Sequence, residues 1–268
     1  MKSLQSTAFY ILMSCFTVSC SVLTPEPENS CNFVQNSDKQ RVSWKSNLPI
    51  KFKVHKDVPR AAIPSILEAA KSWNSVSATN VIEFEDLEAE GNPSSSYADG
   101  KPMIFWKSTW EDDKSSEQAR SIIVWSGATL KDSDIWLNAK NFTFTYLDEP
   151  FHPFKVDLVS LVVHEMGHTL GLEHNSDAES VMYARLRRGY DRREIDHLED
   201  IESFGCEYGE EMLNQENVLA LVERQSEPEV EPQPPADIHV PEQPAEESEF
   251  ASSSQSTTET RSQVSSGI

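Results

Sequence analysis

Apolar residues recur along the chain with two periods, and the switch between them sets out the elements. Across residues 44–55, Ile50, Phe52 and Val54 alternate with Lys51, Lys53 and His55, the two-residue period of a half-buried strand. Across 59–78 the period changes. Ile63, Ile66, Leu67, Ala70 and Trp73 return at helical spacing, with Pro64 tolerable in the first turn. Apolar runs then predict strands at 81–84, 103–106, 121–125 and 134–138, with a Gly, Asn, Pro and Ser loop at 90–100. A second long helix is predicted over 156–170 and a further one over 194–204, where Ile195, Leu198 and Ile201 form the buried stripe. Strand, helix, several strands and a long helix indicate an α/β sandwich.

Composition changes at residue 210. Met212, Leu213, Val218, Leu219 and Val222 suffice for one short amphipathic helix within 209–224. Residues 225–268 are mostly Glu, Pro, Ser, Gln and Thr. They hold too little apolar surface to offset the entropy of ordering, so a disordered acidic tail is predicted. The chain carries 44 acidic and 23 basic residues, a net charge of −21. That balance argues against nucleic acid or an anionic membrane surface as the main partner. Arg185, Arg187, Arg188, Arg192 and Arg193 form a basic run beside the acidic helix and read as solvated surface.

Lys2 and the apolar run 8–18 read as a signal peptide over residues 1–20, too short to span a bilayer. The run ends in Thr17-Val18-Ser19-Cys20, which resembles a bacterial lipobox and makes Cys20 a lipidation candidate. Leu12-Met13-Ser14-Cys15 is a rival that would leave a short apolar run and an odd cysteine, and plain secretion is the other alternative. With Cys20 lipidated, Cys31 and Cys206 remain as an even pair in an oxidising compartment, a disulfide candidate. Polar residues 21–40, with Pro25 and Pro27, read as a tether. The chain is thus expected to be exported, as a cell-envelope lipoprotein or a secreted protein.

The chemistry is concentrated in His164-Glu165-Met166-Gly167-His168-Thr169-Leu170-Gly171-Leu172-Glu173-His174. His164 and His168 lie one helical turn apart on one face and can grip one metal ion. Gly171 can end the helix in a left-handed conformation and bring His174 round as a third ligand. Three imidazoles leave the fourth position of a tetrahedral zinc open, as in catalytic rather than structural sites. Glu165 stands beside the first ligand as general base. Imidazole ligands also suit other divalent metals.

This pattern, with Ser180-Val181-Met182-Tyr183 eight residues past His174, resembles the metzincin clan of zinc endopeptidases, and the Met-Tyr pair resembles its matrixin branch. The resemblance covers roughly 42–208, within a catalytic domain drawn at 41–208. It implies a twisted, mostly parallel five-stranded sheet with one antiparallel edge strand, two long helices, and a C-terminal helix after a Met-turn in which Met182 packs under the histidines. It also implies zinc, a protein or peptide substrate, and a monomer. By the same analogy Ile122, Ile123, Val124 and Trp125 form the edge strand to which substrate adds itself, although the run reads equally well as a plain core strand. Asp132 and Asp134 are calcium candidates. Ala184 stands where matrixins usually have proline, and no Pro-Arg-Cys-Gly latency motif occurs. In its absence the tail has a second reading, as an inhibitory strand in the cleft anchored by Val240 or Phe250. The alternative function is a non-catalytic surface lipoprotein that binds a partner, for which Glu165 would be superfluous.

Overall fold

The computed structural model describes residues 31–92, 99–226 and 262–266. The expectations for the leader, for Cys20 and for most of the tail lie outside them. The elements are β1 (Ile50–His55), α1 (Ile63–Val76), β2 (Ile82–Ala89), β3 (Met103–Lys107), β4 (Ala119–Ser126), β5 (Thr129–Asn138), β6 (Phe144–Thr145), β7 (Val156–Asp157), α2 (Leu158–Leu170), α3 (Leu198–Tyr208), α4 (Gln215–Ser226) and β8 (Ser262–Ser266). In the main sheet the order is β2-β1-β3-β5-β4-β8. β1 runs parallel to β2 and β3, and β3 parallel to β5, while β4 is antiparallel to β5. The first five strands therefore form a mostly parallel sheet closed by one antiparallel strand, the α/β metzincin-like arrangement.

Local sequence explains this layout. Parallel neighbours need a crossover, and α1 supplies it between β1 and β2. The antiparallel β4–β5 pair needs only a tight turn, where Gly127 takes φ +61°. Successive residues point to opposite faces of the sheet. Ile104, Ile123, Ile135 and Leu137 join the main core, whereas Met103, Phe105, Ile122 and Trp136 join a second apolar cluster with Ala89 and Trp110. Burial on both faces is why these strands read as continuous apolar runs.

α2 lies at the centre of the main core, with all of its residues buried. Its carbonyls are met by aromatic donors from around the domain. Trp73 Nε1 donates to Val163 O at 2.8 Å, Trp44 Nε1 to Thr169 O at 2.7 Å, and the Tyr208 hydroxyl to Leu170 O at 2.6 Å. The indole and phenol rings fill volume; the polar tips of Trp44 and Tyr208 satisfy helix-end carbonyls that would otherwise be stranded in the core, and Trp73 places its N–H on a carbonyl in the middle of the helix.

The structure departs from the expectations at several places. The tether is expected to run to residue 40, yet the chain is packed from Cys31. Phe33 is fully buried, Val34 N donates to Gly171 O at 2.9 Å, and a Cys31–Cys206 disulfide ties the segment to α3. Polar composition around one buried aromatic conceals such a latch. His55, expected at the surface, is buried against Phe105. Among the residues of α4 whose burial is described, only Leu221 is buried, and Leu219 and Val222 face solvent. Finally, Ser262–Ser266, expected to be structureless, is strand β8. It pairs antiparallel with the outer edge of β4, Ser121 opposite Ser265 and Ile122 opposite Val264. Strand addition uses backbone hydrogen bonds and needs no apolar face, so a composition argument cannot detect it.

Candidate metal centre

The histidines are placed by the two ends of α2. At its start, Asp157 is the N-cap, accepting from Ser160 N at 2.9 Å and Ser160 Oγ at 2.7 Å. Arg193 pairs with the same carboxylate at 2.5 Å. At its end, Gly171 takes φ +107°, and Gly171 N and Leu172 N turn back to His168 O and Gly167 O, both at 3.0 Å. A Cβ on Gly171 would stand 2.4 Å from Val42 O, so both the backbone angle and the space require glycine there.

That turn brings His174 to His164 and His168. One ligand atom from each of the three residues lies within 4.8 Å of the others. His168 Nε2 and His174 Nε2 are 3.1 Å apart. His164 Nδ1 faces Val181 O and His168 Nδ1 faces Leu172 O, each at 2.8 Å. A carbonyl only accepts, so both Nδ1 atoms carry the proton and both Nε2 atoms are left with a lone pair. Burial and the neighbouring imidazoles hold His164 well below the usual histidine range. Burial, with His174 beside it, takes His168 down to about 3. Neutral imidazoles with aligned lone pairs are what a divalent cation needs. His164 Nε2 is buried and makes no hydrogen bond among the described residues, which is costly unless a ligand takes that lone pair. The three residues therefore fit a zinc ion, with His164 and His168 in the interior and His174 at the solvent-facing rim.

Glu165 is fully buried. Burial pushes its carboxyl up to about 8, with Glu117 adding to the rise, and a hydrogen bond from Ser121 and the charge of Arg120 pull it down. A cation held by the adjacent histidines would favour the charged form further. Glu165 Oε2 accepts from Ser121 Oγ at 2.6 Å, and Oε1 makes no hydrogen bond among the described residues.

Met182 is buried under the helix, and Gly167 makes room for it. A Cβ at 167 would meet Met182 Sδ at 2.2 Å. The turn carrying Met182 is clamped from α3, where Asp200 accepts from Ser180 Oγ at 2.6 Å and Val181 N at 2.9 Å. Since Val181 O orients His164, this clamp also fixes a candidate ligand.

The remaining site expectations fall as follows. Ile122, Ile123 and Val124 are buried on β4, whose outer edge is lined by β8. Asp132 accepts from Gly100 N and Ser133 N, and Asp134 from Met103 N. Their lone pairs serve backbone amides. The histidine triad is the sole cluster of three or more ligating side chains among the described residues, so calcium finds no support here. Sequence reasoning missed Ser121, Asp200 and Arg193. Arg193, expected as free surface charge, instead braces the N-cap of α2, and Arg192 Nη1 reaches Ser180 O at 3.3 Å. No local motif marks Ser121, Asp200 and Arg193, because the partners described above lie between 19 and 44 residues away.

The sequence profile of the matrixin family matches residues 43–205, well over half of the chain. A stretch of 55 residues, 20% of this chain, is 46% identical to Metalloendoproteinase 2-MMP of Arabidopsis thaliana. That stretch takes in 14% of the plant protein's length.

Proposed function

The chain belongs to the matrixin family, and from that premise we propose that it is an exported zinc-dependent endopeptidase that cleaves peptide bonds with Glu165 as general base. The observation that carries this reading is the convergence of three neutral imidazoles, with Glu165, the residue next to His164 on the same helix, buried with one carboxylate oxygen that makes no hydrogen bond among the described residues. His164, His168 and His174 would hold the ion, which would supply Lewis acidity to the attacking water and the scissile carbonyl. Glu165 Oε1 would take the proton of that water and return it to the departing amine. Burial of Glu165 keeps bulk water away from the proton in transit. The outer edge of β4 would dock the substrate as an added strand and hold its backbone extended beside the base. Export is supported by the Cys31–Cys206 bond, since disulfides persist in oxidising compartments.

The test is incubation of the full chain with a peptide library, with and without a zinc chelator. Cleavage is expected at internal bonds, abolished by the chelator and restored by added zinc. Cleavage indifferent to chelation, or no cleavage by protein shown to contain one zinc, would overturn the reading.

A further inference from the structure

We propose that Ser121 is a positioning residue for the general base. This rests on the endopeptidase reading above and extends it to a residue outside the histidine motif. Ser121 sits on the face of β4 that packs against α2 and is completely buried. Its hydroxyl has one proton and two acceptors in reach, Glu165 Oε2 at 2.6 Å and Glu165 O at 3.0 Å. The carboxylate is both nearer and the stronger acceptor. A glutamate side chain has freely rotating bonds, and a buried carboxylate with both oxygens unbonded would adopt whichever rotamer found a donor. Ser121 ties one oxygen to a sheet strand and so selects which oxygen is left for proton transfer. Strand β4 thus supports both the proposed substrate and the base, which keeps their separation constant.

Ser121→Ala is expected to lower kcat roughly tenfold or more, the loss of one hydrogen bond to a charged group, with KM and zinc stoichiometry within about twofold of wild type. Ser121→Thr, which keeps the hydroxyl on a strand-favouring side chain, is expected to recover most of the loss. Alanine is smaller than serine, so the first variant does not depend on the second fitting. A cycle with Glu165→Ala separates positioning from general structural damage: in that background Ser121→Ala is expected to change residual turnover less than about twofold. An unchanged kcat, or an equal loss in both backgrounds, overturns the proposal. Complete inactivity of zinc-loaded wild type would instead overturn the endopeptidase reading.

The pairing of β8 independently carries a second inference: we propose that Ser262–Ser266 competes with substrate for the outer edge of β4. The register sets Arg120 to Val124 against Ser266 to Ser262, so β8 passes Ser121, the residue that touches Glu165. One edge has one row of outward N–H and C=O groups, and two strands cannot use it together. A competitor on the same chain acts at an effective concentration on the order of millimolar, which lets even a short polar strand hold an edge until a better-fitting peptide displaces it.

The test uses the full chain with Gln263→Pro and Val264→Pro together. Neighbouring strand residues aim their N–H groups in opposite directions, so one of the two faces β4 and is removed by proline. Amide exchange over residues 120–124 is expected to quicken on the outward-facing groups, and KM for a peptide to fall several-fold with kcat unchanged. Unchanged exchange shows that the segment does not hold the edge. Faster exchange with unchanged KM shows that it does not compete. Either result overturns the proposal, and the exchange measurement stands even if no peptide is cleaved.

Discussion

The two walls of the site are built on different logic. On one side, α2, the exit turn that follows Gly171 and the 180–182 turn together carry three histidines, a glutamate and Met182, with interior polar atoms tied to named partners from helices, strands and loops. On the other, β4, the wall proposed to dock substrate, contributes mostly backbone, and β8 of this chain lies along its outer edge. The first wall fixes chemistry to one geometry and tolerates little change. The second fixes only direction and register, leaving choice of occupant to side chains beyond it. Substitutions should therefore be far more damaging in the first wall than in the second.

The largest expected effect lies in the first wall and is confined to chemistry. Glu165→Ala is expected to lower kcat by roughly 10²–10⁴, the usual contribution of a general base. Zinc content, measured by metal analysis, should be unchanged, because the residues proposed to hold the ion are His164, His168 and His174. Near wild-type turnover would remove Glu165 from the mechanism and reduce the first wall to a metal clip.

Next comes the latch behind that wall. The Cys31–Cys206 bond closes a loop with a sequence separation of 175. Cys31→Ser with Cys206→Ser is expected to lower unfolding free energy by about 2–5 kcal/mol, read from urea titration. The loss should loosen the segment around Phe33, which packs against the Gly171 turn, more than it loosens β4. Amide exchange that rises equally in both walls would argue against a local latch.

The same contrast governs what the sequence discloses. The candidate ligand set, His164, His168 and His174, is legible because it is local: it falls within one helix and its exit turn at Gly171, where spacing and left-handed glycine suffice. The strands are legible because burial on both faces leaves continuous apolar runs such as Ile122-Ile123-Val124. What holds the ligands is not local. Asp200, which clamps the Met182 turn, looks like any acidic residue on a surface helix, and Arg193 like any member of a basic run. The occupant of the β4 edge is least legible of all, since β8 contributes backbone and its composition points to disorder.

Two glycines, one in each wall, give the smallest and most direct comparison. A Cβ on Gly167 would lie 2.2 Å from Met182 Sδ and 3.0 Å from Trp73 Cζ2, in the fully buried layer under the histidines. The methionine end is flexible but the surrounding core is filled, so Gly167→Ala is expected to cost about 1–3 kcal/mol, the usual range for overpacking. Displacing Met182 should also weaken zinc retention against a chelator, through Val181 O and His164. Gly127, at the β4–β5 turn, also has a demanding environment, but of another kind. Its φ is +61°, and nothing lies within 4 Å of the Cβ position. Gly127→Ala should therefore cost about 1 kcal/mol, the left-handed penalty less the entropy withdrawn from the unfolded chain. Zinc retention should be untouched, because the strain is confined to a turn with no side chain in contact. Thermal melts with and without chelator distinguish the two. If Gly127→Ala loosens zinc as much as Gly167→Ala, the walls are not separable, and β4 must be counted as part of the metal site rather than as an edge beside it.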